Sequence, residues 1–589
     1  MANPVIRRQA RWLAASLVLL APALALGQAA PNIPRLPPPP VDLIDRVGPS
    51  TPPALSPRTQ PPPPEAQRGP GESREVAVST ATAQGNTALD IAAIRAVLAP
   101  IEGRTVTLAR IEETRLAVLG LYRRAGYPFV SVAAALAAQP DGRAEVRFAI
   151  TEGYVAEVRL DGDIGPAGTQ VLRFLERVKD QRPVSTAAVE RALLLASDVP
   201  GVTVRGVLQP IQGEPGALRL VAQLSRSAVS GYFNVDNRAY QLTGPWQALL
   251  VAGLNSFTEF GERTEVSLFG AEQASQWFTQ ASVETFVGGS GLRVRVYAGM
   301  GNTLPTGQLA EIGYEAENRL AGIVATYPII RSRPANLYAV AQFDIFDSDI
   351  YTGVGTPSGR NVAGRDRIRT ARGGFDAQAL DTLLWFLPPA TNQATARIHQ
   401  GLAVWDATPA NDPLATRIGS EFDFTKYTGD YQRVQPIFSP FEGGMINFQV
   451  YASGQWSTNI LPNAEKYYLG GSRLGRGFYS GQVTGDYGYG YALELQLDIA
   501  YDLAAQPRLG NNRGSSQFYL FRDLGWAYQN LDTDANRRLS SWGGGVRTVL
   551  ADTVQFDLEV ARRITTRPDG EFSDPLRATQ LYFRTLIRF

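Results

Sequence analysis

Cysteine, histidine and lysine, which so often serve as nucleophiles, bases and metal ligands, are scarce in this 589-residue chain. There is no cysteine, which excludes disulfide scaffolds, thiolate metal sites and cysteine nucleophiles. The single histidine, His399, leaves a Ser-His-Asp triad formally open but provides no second imidazole for an ordinary zinc site. Lysine occurs only at Lys179, Lys426 and Lys466, none in a G-x-x-x-x-G-K context, so no phosphate-binding loop is available to drive transport. Carboxylates and arginines are plentiful and balanced, with 56 Lys+Arg against 55 Asp+Glu and a formal net charge of +1. They stand singly at alternate positions, which reads as a solvated wall and gives no support to an enzyme. No cofactor or metal is expected, and the neutral balance argues against nucleic acid as a partner.

What those charges alternate with identifies the elements that carry them. From Gly231 onward Leu292, Val294, Val296 and Ala298 oppose Arg293, Arg295 and Tyr297, and Leu337, Ala339, Ala341, Phe343 and Ile345 oppose Asn336, Tyr338, Gln342 and Asp344. Further on, Leu493, Leu495, Leu497 and Ile499 oppose Glu494, Gln496 and Asp498, and Val554, Phe556, Leu558 and Val560 oppose Gln555, Asp557 and Glu559. The last dozen residues end on an aromatic, with Leu581, Phe583, Ile587 and Phe589 on one face and Tyr582, Arg584 and Arg588 on the other. A soluble half-buried strand shares this period-2 pattern, but soluble sandwiches fill both inner faces with apolar side chains. Charge at alternate positions of strand after strand needs a wet interior, as in a transmembrane barrel. About sixteen such segments can be counted, an even number as bacterial barrels require, and closure satisfies every backbone donor in lipid. The segments Leu380 to Ala394 and Asp406 to Ala415 read poorly as strands. His399 shares a face with Arg397 and points to the lumen, as a solvated position and not a catalytic one.

Ahead of the strands, Arg7, Arg8 and Arg11 precede an apolar run from Trp12 to Leu26, the pattern of a signal peptide over residues 1–27. The run is short for an anchor, and no later stretch approaches the ~20 apolar residues of a membrane helix. Residues 28–73 form a Pro-rich linker, including Pro37 to Pro40 and Pro61 to Pro64, broken by Val41 to Val47, which has length for about two helical turns. Two units of the same element order follow. The first has a strand at Glu75 to Ala83, helices at Leu89 to Leu98 and Leu108 to Ala125, and strands at Phe129 to Ala137 and Ala144 to Ile150. Ile111, Leu116, Leu119 and Tyr122 share one face of its long helix. The second repeats this over Val155 to Leu224. A β-α-α-β-β unit of about 75 residues present twice is an internal repeat.

With these elements in place the chain resembles the outer-membrane transporters of two-partner secretion, the TpsB class of ShlB/FhaC-like haemolysin secretion/activation proteins in the BamA-related superfamily. Gly126-Tyr127 after the long helix resembles a POTRA (polypeptide-transport-associated) domain. Asp236-Asn237 with Gly244 is similar to the family's first barrel hairpin, and Tyr327-Pro328-Ile329-Ile330-Arg331-Ser332-Arg333 to a connection between barrel strands. Leu469-Gly470-Gly471, Arg476-Gly477-Phe478 and Gly485-Asp486 resemble the long extracellular loop that folds back into the barrel. The resemblance implies α+β periplasmic POTRA domains, POTRA 1 over 74–153 and POTRA 2 over 154–228. It then implies a 16-stranded antiparallel transmembrane β-barrel over 229–589, with the inserted loop at about 458–488. It further implies that Arg476 meets an acidic residue in an F-x-D-x-G strand, which here makes Asp523, with Phe521 and Gly525, the partner. The physics agrees, because an arginine in a lumen loses bulk hydration and needs a carboxylate of matching fork geometry. A solvated loop arginine is the competing reading. Gly475 departs from the family's apolar residue before the arginine, which suggests a looser tip. Many family members carry a plug helix, for which only the short 41–47 segment is available here.

The expected function is a monomeric outer-membrane pore that recognises and secretes, and can activate, one large exoprotein of haemolysin or adhesin type. The POTRA sheet edges would capture the unfolded client and the Arg476 loop would lock or gate the lumen. An insertase that assembles other barrels, like BamA, is the alternative; a general porin has no reason to carry tandem periplasmic units.

Overall fold

The computed structural model describes residues 73–357, 359–503, 513–570 and 573–589; the expected signal peptide, the linker up to residue 72 and the 41–47 plug segment lie outside the described residues. Two small α+β units lead into one closed barrel. In the first unit, Glu75–Gln84 pairs in parallel with Ala144–Glu152, flanked by Val130–Ala138 and by the three-residue strand Thr105–Thr107. Helices Ile91–Leu98 and Leu108–Arg124 cover the sheet, burying Ile94, Leu98, Ile111, Val118 and Tyr122 against Val78, Val146 and Phe148. Leu116 is only half-buried and Val118 takes the core position, because Val118 falls on the buried face of Ile111, Thr114 and Tyr122 at ordinary helical spacing whereas Leu116 is turned away from it. Thr107 caps the long helix by accepting from the Arg110 N–H at 3.3 Å. Gly126, at φ +88°, ends it by turning the chain so that the Tyr127 N–H reaches the Tyr122 carbonyl at 2.9 Å. The second unit has a three-stranded sheet, Tyr154–Asp161, Ala217–Arg226 and Val202–Pro210, under helices Gly168–Glu176 and Thr186–Ser197.

The barrel closes sixteen antiparallel strands, from Val229–Asp236 to Thr579–Arg588. Among the described residues no helix is long and apolar enough to cross a membrane. Outward positions such as Leu495, Phe518, Leu520, Phe556, Leu558 and Leu581 are 47–65% exposed, whereas inward Glu494, Asp523, Glu559 and Tyr582 are buried. An apolar wall outside and a charged interior is the inversion that a lipid-embedded barrel requires. Strand Asn361–Asp381 marks the span directly: its outward Ala371, Gly373, Phe375, Ala377 and Ala379 carry no charge and are bounded by Arg369 and Asp381. That band matches the roughly 9–11 residues a tilted strand needs to cross hydrocarbon. The poorly read segment Leu380 to Ala394 contains the end of this strand, a turn, and the start of Ala390–Gly401; Asp406 to Ala415 lies in a loop.

The seam between the first and last strands is short, with five registered pairs from Arg584↔Asp236 to Arg588↔Tyr232. Asn237 extends it, accepting from the Phe583 N–H at 3.0 Å and donating to the Leu581 carbonyl at 3.1 Å. The second unit sits on three consecutive turns at the end where the chain enters the barrel. Gln170 donates to the Gly288 carbonyl at 2.8 Å, Ser256 to the Pro200 carbonyl at 2.7 Å, and Phe174 meets Phe286 edge-on at 5.1 Å. The segment Tyr327 to Arg333 forms the third turn, where Arg331 grips Asp198 with two hydrogen bonds of 2.7 and 2.9 Å. A charge-assisted pair of this kind is worth ~1.5–3 kcal/mol. Arg331→Ala should therefore speed protease cleavage of the linker between Arg226 and Val229 by roughly ten-fold or more. Unchanged cleavage would place the hold elsewhere.

Candidate functional site

Between strands Gly444–Ser457 and Tyr487–Asp502 the chain makes a long hairpin that turns back into the lumen. Its arms zip through a two-stranded ladder, Tyr467–Leu469 with Val483–Gly485. The tip carries Arg476, Gly477 and Phe478, all buried. The Arg476 backbone N–H donates to Asp523 Oδ2 at 2.7 Å, its Nε to the same oxygen at 3.2 Å, and its Nη2 to Oδ1 at 3.0 Å. The remaining Nη1 pairs with Glu494, and the guanidinium lies 3.8 Å from the Phe521 ring centre. A planar fork saturated on one edge by Asp523, on the other by Glu494 and on its face by an aromatic is an arrangement only arginine can fill.

Neither the charges nor the backbone of the tip are left alone. Glu494 also takes Arg547 at 2.7 Å, and Glu559 takes Arg238 at 2.6 Å and the Tyr519 hydroxyl at 2.7 Å. Arg238 in turn donates to the Arg476 carbonyl at 2.8 Å. Arg238, Arg476 and Arg547 thus balance Asp523, Glu494 and Glu559 in a buried network. The Gly477 N–H reaches Ser541 Oγ at 3.2 Å, and its carbonyl accepts from the Tyr582 hydroxyl at 2.9 Å and from Arg563. The expected Arg476, Gly477, Phe478, Asp523 and Phe521 are therefore in one place. Gly525 joins them through the other arm: a Cβ there would stand 2.9 Å from Leu469 Cδ2, so glycine lets the hairpin pack on the wall. Gly475 is not slack. It adopts φ +75°, and a Cβ would sit 3.1 Å from the Gly470 nitrogen, so the turn requires glycine there.

Gly477 is equally confined, since a Cβ would lie 2.7 Å from Ser541 Cβ and 3.4 Å from Arg563 Cγ. Gly477→Ala should carry an overpacking cost of ~1–3 kcal/mol and unseat the tip. A looser tip in a barrel that still inserts is the expected outcome, read as a broadened spin-label distance between Ser472→Cys and Glu442→Cys, and an unchanged distance would show that the tip does not rest on Ser541.

A second contact fastens the hairpin's descending arm to another stretch of the wall, strands Asn361–Asp381 and Thr425–Phe438. Glu465 pairs with Lys426 at 2.7 Å and Arg372 at 2.9 Å. His399 faces the lumen but is engaged instead of solvated: Arg372 Nε donates to its Nδ1 at 3.0 Å, and Nε2 lies 2.9 Å from Thr428 Oγ1. Below the hairpin remains a polar space of ≈ 1050 Å³, bounded by groups such as Arg372, Arg397, Glu465, Arg476 and Glu494. Sequence reasoning missed Glu494, Glu559, Arg238, Arg547 and Glu465 as members of the site. Alternation alone puts Glu494 and Glu559 on the inner wall; it does not say which loop residue they meet.

Residues 378–548 match the family model described as haemolysin secretion/activation protein ShlB/FhaC/HecB, and residues 76–153 match the ShlB-type POTRA domain. Among solved structures, CdiB from Escherichia coli aligns over 93% of this chain and 95% of its own, at 17% identity and a TM-score of 0.67. CdiB from Acinetobacter baumannii aligns over 93% and 96%, at 16% identity and a TM-score of 0.59. A comparison with curated protein sequences gives no match.

Proposed function

Since this chain belongs to the haemolysin secretion/activation family and is a TpsB-type outer-membrane secretion transporter with its POTRA domains in the periplasm, we propose that it exports one large exoprotein of haemolysin or adhesin type under control of the Arg476 hairpin. The observation that carries this reading is the hairpin itself, seated in the lumen and bound to two walls through Arg476 and Glu465. A wall-bound segment across a conduit sets the shape of the lumen, and a network of discrete ion pairs has a bound and an unbound arrangement, both of which export requires.

Capture is assigned to sheet edges. Val130–Ala138 is an edge strand of the first unit with Leu136 47% exposed, and Val202–Pro210 is an edge of the second with Val207 45% exposed. An extended client segment can add to either by backbone hydrogen bonds, with little demand on its sequence. The second unit, rooted on three barrel turns, would deliver that segment to the lumen mouth. With no nucleotide site in the sequence, folding of the client outside the cell supplies the drive. Activation of the client is a further expectation of this reading.

The short five-pair seam favours a second reading, an assembly factor that opens laterally to insert other barrels. Removing the protein from its host separates the two. Loss of a single exoprotein from the medium supports export, whereas a general fall in outer-membrane proteins supports insertion.

A further inference from the structure

The segment between strands Ala390–Gly401 and Thr425–Phe438 makes no regular element, yet it is fixed at both flanks. Thr416 donates its backbone N–H to Asp366 Oδ1 at 3.0 Å, tying the segment to the wall strand Asn361–Asp381. Glu421 accepts from Asn459 at 2.6 Å and from the Ile460 N–H at 3.2 Å, tying it to the hairpin's first residues. Between these ties Arg417 is buried and reaches across the barrel's outer mouth. Its Nη1 and Nη2 meet the two oxygens of Asp486 at 2.5 and 2.9 Å, and Nη2 also meets Asp534 at 2.9 Å.

Asp486 lies at the root of the ascending arm and is fully buried. Its carboxylate also accepts the backbone N–H of Leu461 on the descending arm at 2.8 Å, and of Asn530 in the neighbouring loop at 2.7 Å. One carboxylate thus joins both arms of the hairpin to two other extracellular loops, and Arg417 is the cation that makes its burial tolerable. Arg417 Nη1 further donates to the Leu461 carbonyl at 2.7 Å, so that residue is held through both its backbone groups. This fastening shares no residue with the Arg476 network.

We propose that Arg417 is a positioning residue that clamps the root of the inserted hairpin independently of its tip. The root stays fixed while the tip at Arg476 detaches, so the hairpin swings from a pivot at Asp486 and does not leave the barrel as a whole. The role in export rests on the transporter reading above; the clamp itself is a property of the barrel and is tested without any client.

The test uses the full-length protein in lipid nanodiscs and exploits the absence of cysteine, which makes introduced thiols unique. Spin labels at Asn463→Cys and Thr533→Cys report the root, and labels at Ser472→Cys and Glu442→Cys report the tip. Arg417→Ala should broaden the root distance distribution and leave the tip distribution unchanged; Arg476→Ala should do the reverse. Arg417→Lys, which keeps charge without the fork, should broaden the root less than Arg417→Ala. If Arg417→Ala prevents insertion, Asp486→Asn serves as the root variant, checked by the heat-dependent gel shift of a folded barrel. A root distribution unmoved by these variants overturns the clamp, and so does simultaneous broadening of root and tip, which would make the hairpin one fastening. Neither result touches the transporter reading, which falls instead if wild-type protein exports nothing.

Discussion

Arg476→Ala is expected to abolish export of the exoprotein while the barrel still inserts. The side chain's guanidinium makes two hydrogen bonds to Asp523, of 3.2 and 3.0 Å, and pairs with Glu494. Truncation leaves both carboxylates buried with that cation gone, a loss of about 3–5 kcal/mol. The barrel is held by its backbone ladders, none of which includes residue 476, so the heat-dependent gel shift should persist. Asp523→Ala should give the same phenotype, and Arg476→Lys should be nearly as damaging because an ammonium cannot serve two carboxylates in a plane. Asp523→Asn should retain more export, since Glu494 still holds the guanidinium. Normal secretion by Arg476→Ala would remove the hairpin from the mechanism.

Phe174→Ala carries the next largest effect. Phe174 is buried beside Val171, Leu175, Leu195 and Leu220, and its ring also packs on Phe286 of the barrel. Deleting such a ring costs about 3–5 kcal/mol, comparable to the whole stability of a small domain. The second periplasmic unit should unfold and lose its seat on the barrel together, stopping export. A protease ladder over 154–228 with an intact barrel fragment is the predicted signature. Export at wild-type levels despite that ladder would mean that delivery to the lumen does not pass through the second unit.

The barrel was legible because its strands obey a local rule: a residue's face follows from the parity of its position. The same rule put Glu494, Asp498 and Glu559 on the inner wall and Leu581 outside. The two repeats were legible for a similar reason, their helices and strands being set by apolar spacing within each unit. What parity cannot give is distance across the lumen. Arg476 and Asp523 were joined through a resemblance, whereas Glu494, Arg238 and Arg547 were not, since ion pairs spanning 18 to 321 positions leave no periodic trace. Arg417 escaped for a further reason. Its segment is loop, and residues 406–415 beside it carry no pattern because their backbone hydrogen bonds mix local turns, Asp412 to Pro409 and Ala415 to Asp412, with single bonds to the wall strand at Thr408 and Leu414. Gly475 and Gly525 show a third limit. A glycine reads as freedom until the neighbour that forbids a Cβ is in place.

The central claim, that the hairpin lies inside the cylinder against the Asp523 strand, is most directly tested by a disulfide. A Cβ at Gly525 would lie 3.5 Å from Leu469 Cγ, the position a cysteine sulfur would occupy, which is within reach of a bridge after a small adjustment. In a chain with no cysteine of its own, Leu469→Cys with Gly525→Cys should oxidise spontaneously in the outer membrane, giving a reducible gel shift and no maleimide uptake. Two free thiols, both labelled by maleimide in intact cells, would mean the hairpin is not seated on that wall.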